Sequence, residues 1–305
     1  MTHPKITTLG SFKALLKILK DLKTMIININ HHMFSFFKIF KKTKVVSHIR
    51  LSGVIGSVGK FKQGLDFEGQ KEIIEKAFSL KKARVVAISI NSPGGSPVQS
   101  HLIYSYIRKQ ALKNKKKVLV FAEDVAASGG YLIACAGDEI YANSSSIVGS
   151  IGVIYSSFGL QELIKKVGIQ RRVYTAGKNK STLDPFVEEK EEDIERLKKI
   201  QLELHADFIK VVEDSRSNKI KKNGNPDLFT GEFWSGSTAK KIGLVDAIGN
   251  ADEVIKEKFG EDVIIKKFEK SKSWINRKLS GSSESQIDNL INIIEEKSIW
   301  QRYGF

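Results

Sequence analysis

The chain has 305 residues, 41 % of them hydrophobic and 28 % charged, which excludes a disordered protein and indicates one large or two modest domains. The net charge is +16, and residues 1–50 alone contribute +9. No nucleic-acid-binding motif accompanies these basic residues, so we expect no nucleic-acid partner.

The first predicted element is a basic amphipathic arm. Apolar residues recur at helical spacing from Ser11 to Phe40, with lysines on or beside the other face. Such a helix can lie in the interface of an anionic membrane, which gives residues 11–42 as the membrane contact, or it can dock on its own protein or a partner subunit. Lysines and asparagines interrupt every apolar run, so neither a secretory signal nor a spanning helix is predicted.

Beyond Lys44, short apolar strands alternate with helices, which predicts an α/β fold with a parallel sheet. The predicted strands are Val45–Ile55, Val85–Ile90, Val118–Phe121, Glu139–Ala142, Arg171–Thr175 and Val263–Phe268, with a further short closing strand inside Thr230–Asn250. The predicted helices are Gly69–Leu80, Val98–Leu112, Ser128–Ala136, Leu160–Val167, Glu188–Ser215, one short helix inside Thr230–Asn250, and Ala251–Phe259.

The end of the chain is predicted to be a flexible Ser/Lys-rich stretch, Ser271–Ser285, followed by an amphipathic helix at Gln286–Lys297. The predicted organisation is therefore an arm at 1–43, a compact domain at 44–269 and a C-terminal region at 270–305. The single cysteine, Cys135, excludes an intrachain disulfide and is expected to be a buried core residue.

The most informative segment reads E-D-V-A-A-S-G-G, residues Glu123 to Gly130. It places Ser128 at a strand-to-helix turn, where a serine is either an N-cap or a nucleophile whose following amide points at an oxyanion. A second segment, N-S-P-G-G-S from Asn91 to Ser96, follows another strand. Its two glycines can present a backbone amide where a side chain would block approach.

The general base is the open question for Ser128. The histidines are poorly placed for a Ser-His-Asp triad, since four lie near the start of the chain and His205 falls on a predicted packing face. A lysine can serve as base if its pKa falls from ~10.4 towards neutrality. The best candidate is Lys180 in A-G-K-N-K-S-T-L-D-P-F, and Lys178 is its neighbouring competitor.

Taken together, A-S-G-G-Y-L-I-A, N-S-P-G-G, the intervening G-S-I-G-V (Gly149 to Val153) and A-G-x-x-K-S-x-x-D-P resemble one family. It is the signal peptide peptidase A/SohB-type serine–lysine peptidase family, and the resemblance runs in order from about Val45 to Phe268. The resemblance implies a ClpP/crotonase-type fold, a spiral of repeated ββα units.

By the same resemblance, Ser128 is the nucleophile, Lys180 the general base, and the amides of Gly95 and Gly129 the oxyanion hole. Ser150 occupies the position whose hydroxyl binds the lysine amine. The implied activity is ATP-independent hydrolysis of unfolded or short apolar peptides, including cleaved signal peptides, with no cofactor and no metal. Relatives form rings, so a homo-oligomer is expected, with Ser128 and Lys180 meeting within or between subunits.

Many relatives carry an N-terminal transmembrane anchor, and here the basic arm stands in its place. The expected location is therefore the cytoplasm or the cytoplasmic face of the inner membrane of a bacterial-type cell. Three other interpretations stay open. A crotonase-type acyl-CoA enzyme would use carboxylates such as Glu123 and Asp124, and a non-catalytic membrane scaffold would need no intact Ser128, Lys180 and Ser150. A binding module driven by charge alone is a third.

Overall fold

The computed structural model describes residues 20, 23, 43–56, 64–220, 227–269 and 297–304. The chain divides into two compact units, Met1–Thr43 and Lys44–Phe305. Lys20 and Lys23 are helical and exposed, and the rest of the predicted arm helix lies outside the described residues, as do the predicted flexible stretch and nearly all of the helix after it. Within the described ranges, no helix has the length and apolarity needed to cross a membrane.

The second unit alternates strands and helices along its length. Its strands are β1 (Val45–Ser52), β2 (Ala83–Ser92), β3 (Lys117–Ala127), β4 (Glu139–Ala142), β5 (Ile147–Gly149), β6 (Phe233–Ser235), β7 (Ala247–Ile248) and β8 (Ile264–Phe268). Its helices are α1 (Phe67–Ser79), α2 (Pro97–Asn114), α3 (Gly129–Ala134), α4 (Gln161–Lys166), α5 (Glu191–Arg216), α6 (Gly236–Ile242) and α7 (Ala251–Phe259).

The strands form one sheet in the order β6-β5-β3-β2-β1-β8, with β4 beside the first half of β3 and β7 beside β4. Every pairing is parallel except that of β5 with β6. Strand β3 is long enough to pair with β4 through Leu119–Ala122 and then with β5 through Val125–Ala127. The predicted α/β class with a parallel sheet is confirmed.

Both faces of the central sheet are covered, which explains why β2 is apolar at nearly every position. Val86 and Ile88 point into the larger core, whose other members come mainly from α1, α2, α3 and α5. Val85 and Ala87, which alternate with them, point into a smaller core that includes Ile255 of α7. Cys135 is 3 % exposed in the larger core, as expected, and burial raises the pKa of its thiol to about 12.

A buried ion pair joins the end of α5 to the chain after α6. The Arg216 side chain is fully buried and donates to the Gly243 carbonyl and, over 2.8 Å, to Asp246. Asp246 also pairs with Lys219 and accepts the backbone N–H of Ile140 in β4. Burial alone would raise the pKa of Asp246, but the hydrogen bonds from Arg216 and Lys219 outweigh it and hold that pKa below its usual value.

The predicted strand Arg171–Thr175 is wrong, because these residues form no regular element. A strand requires a neighbour for its backbone groups, and none of residues 152–192 is buried against the sheet. Arg171 instead pairs with Asp184 over 2.8 Å and stacks on the Phe186 ring at 4.7 Å. The short strands β5 and β6, which were not predicted, are too brief to show a period-two pattern.

Candidate active site

Ser128 lies between the end of β3 and the start of α3, in a strained turn. Its φ of 51° and ψ of −125° lie outside the regions that a side-chain-bearing residue usually occupies. Its N–H donates to the Gly149 carbonyl over 2.8 Å, and its carbonyl accepts from Leu132 N–H in α3. The hydroxyl caps nothing, so the N-cap interpretation of this serine does not hold. Strain of this kind is characteristic of functional sites.

Helix α3 is rigidly held, which fixes the Ser128 turn. All six of its residues are buried, and the Tyr131 hydroxyl donates to the Leu244 carbonyl over 2.8 Å. Gly129 has no room for a side chain, because a Cβ there would lie 2.3 Å from the Ser100 hydroxyl oxygen. As the first residue of α3, Gly129 has an N–H with no acceptor inside the helix.

The glycine loop after β2 lies directly against Ser128. A Cβ on Gly94 would come within 2.7 Å of the Ser128 Cβ and 3.0 Å of both the Ser128 Oγ and the Gly129 nitrogen. Gly95 pairs with Ile55 so closely that a Cβ would lie 2.1 Å from the Ile55 oxygen. The sequence pointed to Gly95 but not to Gly94, although Gly94 is the residue of this loop that comes closest to Ser128. Its φ of 100° is one that residues with a side chain rarely adopt.

Among the residues that the structure describes, nothing accepts a hydrogen bond from the Gly95 amide, which leaves it available to a ligand. Ile55 bonds instead to the two residues that flank Gly95. Its N–H donates to the Gly94 carbonyl, and its carbonyl accepts the N–H of Ser96. Gly95 and Gly129 both line one cleft with Ser128, so two backbone donors and a hydroxyl share a single space. Such donors can stabilise an oxyanion that develops beside the hydroxyl.

Ser150 is brought to the same cleft by the pairing of β5 with β3. Ala127 is the register partner of Gly149, so the residues that follow, Ser128 and Ser150, emerge side by side at the end of the sheet. Ser150 has a φ of 54° and donates its N–H to the Glu232 carbonyl. The second strained serine is therefore next to the first.

The cleft has a volume of about 670 Å³ and a mixed lining. Its apolar wall comes from Leu132, Val153, Ile154, Leu204 and Phe208. Glu123 and Asp124, the carboxylates of the acyl-CoA interpretation, do not line it. Glu123 is held by Arg50 and Asp124 by Asn91, and both line a different cleft. No cluster of three or more His, Cys, Asp or Glu side chains suited to a metal occurs in the described residues.

Lys180 is not brought to this cleft within one chain. It lies in an exposed turn, with its N–H bonded to the Gly177 carbonyl, and it is absent from the cleft lining, as is Lys178. The turn is braced by Thr182, whose hydroxyl donates to the Asn179 carbonyl over 2.7 Å. The pairing of Lys180 with Ser128 therefore stays a prediction.

His205 does line the cleft, contrary to the packing role that the sequence suggested for it. Its Nε2 lies 3.2 Å from the Ile151 carbonyl oxygen. A carbonyl only accepts, so Nε2 is the protonated nitrogen of this contact. The position of His205 on a long helix, far along the chain from Ser128, gave no signal of this placement.

Comparison with known proteins gives a consistent family. The model of "Peptidase family S49" matches residues 110–262, half of the chain. The chain is 36% identical over 184 residues to "Putative protease MJ0651" of Methanocaldococcus jannaschii. This alignment covers 60% of this chain and 57% of that protein. It is 31% identical over 222 residues to "Probable protease SohB" of Haemophilus influenzae, spanning 72% of this chain and 60% of that protein.

A higher identity, 53% over 269 residues, is found with a Brucella abortus protein named "Na(+)/H(+) antiporter NhaA". The match spans 84% of this chain but only 36% of the Brucella protein. The chain thus covers about a third of the length of that relative.

Proposed function

The chain belongs to peptidase family S49, a family of serine-type peptidases, and on that basis we propose that it is a serine endopeptidase with a Ser128–Lys180 dyad. The observation that carries the proposal is the strained Ser128 turn, with the free Gly95 amide and the first amide of α3 lining the same cleft. Hydroxyl and paired backbone donors are the parts needed for acyl transfer.

The proposed reaction has two halves. Lys180 removes the Ser128 proton, and the hydroxyl oxygen attacks the scissile carbonyl while the amides of Gly95 and Gly129 bind the oxyanion. The protonated lysine then gives its proton to the leaving amine. Water, deprotonated by the same lysine, next attacks the acyl-enzyme ester and releases the second product. The protonated lysine gives its proton to the departing Ser128 oxygen, which restores both groups. Ser150 orients the lysine amine in both halves.

Self-assembly is proposed as the route by which Lys180 reaches Ser128. No residue from Gly152 to Glu192 is buried, although this stretch carries many large apolar side chains. They are Ile154, Tyr155, Phe158, Leu163, Val167, Ile169, Val173, Tyr174 and Val187, each between 43% and 91% exposed. So many exposed apolar side chains in the segment that carries Lys180 support burial of this segment against a second copy of the chain, as in a homo-oligomeric ring.

The proposed substrates are unfolded or short apolar peptides, including cleaved signal peptides. The support is the cleft itself, since Leu132, Leu204 and Phe208 give it an apolar wall beside the two candidate oxyanion donors. An extended peptide can place its carbonyl at these donors and its side chains against the wall.

The first test is hydrolysis of casein and of a synthetic signal peptide by Ser128→Ala. We expect a fall in kcat of about 10³-fold or more, because the Ser128 hydroxyl is the nucleophile of the proposed reaction. Ser79→Ala, at the exposed end of α1, is the matched control and should keep the full rate. Circular dichroism checks that both variants fold. Full activity of Ser128→Ala would show that another group is the nucleophile, and an inactive wild type would favour the acyl-CoA or scaffold interpretation.

Peripheral membrane contact through residues 11–42 is proposed from the charge and apolar spacing of the arm. Removing residues 1–43 should lower binding to vesicles that contain an anionic lipid, as measured by co-sedimentation. Binding of the full chain should also weaken as salt is raised, because the basic residues contribute through a screened attraction. Equal sedimentation of the full and shortened chains would contradict the proposal.

A further inference from the structure

The end of the chain lies in the cleft that holds Ser128. Residues 297–301 are helical, and Ile299, Arg302 and Tyr303 line the cleft together with Ser128 and Ser150. These residues are separated by a large part of the chain from the segments that build the cleft. Their position therefore reflects a contact across the fold and not local chain geometry.

Two specific contacts hold Tyr303. Its hydroxyl donates a hydrogen bond to the Ser150 Oγ over 3.2 Å. Its ring packs edge-on against Phe233, with centroids 5.2 Å apart and planes at 67°. This is a favourable aromatic geometry, and the polar tip and apolar ring of the tyrosine each find a matching partner.

We propose that residues 297–304 form an intramolecular ligand of the Ser128 cleft and compete there with peptide substrates. The proposal rests on the peptidase function proposed above and adds its regulation. The contacts also indicate a preference among substrates. A site that holds Tyr303 through Phe233 and Ser150 would accept a peptide segment with a tyrosine at the same place.

Ser150 links this occupancy to catalysis. The proposed mechanism uses the Ser150 hydroxyl to orient the amine of Lys180, and Tyr303 uses that same hydroxyl as an acceptor. Residues 297–304 therefore fill the cleft and also occupy the Ser150 hydroxyl that Lys180 requires. One neutral hydrogen bond and one aromatic pair are individually weak, so the segment can exchange with a substrate peptide.

The kinetic test compares the full chain, a chain ending at residue 296, and the variant Tyr303→Ala. Removal of the competing segment should lower KM for a peptide substrate about three- to tenfold while kcat changes less than about twofold, because the competent cleft becomes more populated. Gln301→Ala is the matched control. Gln301 is exposed on the same helical turn and does not line the cleft, so its KM should equal that of the full chain.

A binding test separates this inference from the peptidase function. A fluorescent peptide of residues 297–305 is titrated against Ser128→Ala proteins with and without their own residues 297–305, and anisotropy is measured. The shortened protein should bind the peptide at least about three times more tightly than the full-length one, because the attached segment competes. The same peptide with Tyr303→Ala should bind more weakly.

Equal binding to the two proteins, or no binding to the shortened one, would overturn the proposal even if Ser128 proves catalytic. Conversely, if the peptide binds the shortened protein more tightly, residues 297–304 occupy the cleft even if the wild type hydrolyses no peptide. The two proposals therefore fail through different measurements.

Discussion

Lys180→Ala is expected to lower kcat for peptide hydrolysis by about 10³-fold or more, because neither acylation nor deacylation would have its base. Lys178→Ala, two residues away in the same exposed turn, is the matched control and should stay within about threefold of wild type. His205→Gln should also stay within about tenfold. His205 uses its Nε2 hydrogen to hold the Ile151 carbonyl, and the glutamine amide can supply a similar donor.

Mixing the two inactive variants tests how Lys180 reaches Ser128. Ser128→Ala and Lys180→Ala subunits are dissociated together, reassembled and assayed. If the groups pair between subunits, mixed oligomers contain some complete sites and activity returns; pairing within one chain restores none. Loss of activity in His205→Gln together with full activity in Lys180→Ala would reassign the base to His205, which already lines the cleft.

The sequence was sufficient for those parts of the fold where local pattern and tertiary environment agree. Strand β2 is buried on both faces, so its centre reads as an apolar run rich in β-branched residues, and the predicted strand Val85–Ile90 lies wholly inside it. The turn at Ser128 was predictable because the fold requires a glycine at each of the two following positions. A Cβ added at Gly129 or at Gly130 would lie within 2.5 Å of an atom of another residue. Motif and steric requirement coincide at this turn.

Other parts of the site depend on contacts that no local pattern records. His205 and Tyr303 reach the cleft only because α5 and the end of the chain pack across it. Arg171–Thr175 has the composition of a strand, but composition supplies no neighbouring strand, and in this structure its residues are exposed. Gly94 was overlooked because the pairing of Gly95 with Ile55, which turns the loop towards Ser128, is a long-range contact.

Asp246→Ala is expected to destabilise the folded chain by about 3 kcal/mol or more, because it leaves the buried Arg216 guanidinium without its counter-ion. The effect should reach the active site. The chain around Asp246 also supplies the Leu244 carbonyl that anchors Tyr131 of α3, the helix that follows Ser128. Urea unfolding measures the change, and Asp262→Ala, an exposed aspartate, is the control and should lie within about 0.5 kcal/mol of wild type.

The pH dependence of this pair has a defined sign. The pKa of Asp246 is lowered in the folded state, so its ionised form adds stability above the pKa that it has when unfolded, about 3.9. That contribution is lost as the pH falls through the lower, folded pKa. The stability difference between wild type and Asp246→Asn should therefore be full near pH 6 and shrink progressively below about pH 4. A difference that stays constant from pH 6 to pH 3 would show that the carboxylate charge contributes nothing, and that Asp246 acts only through the shape of its hydrogen bonds.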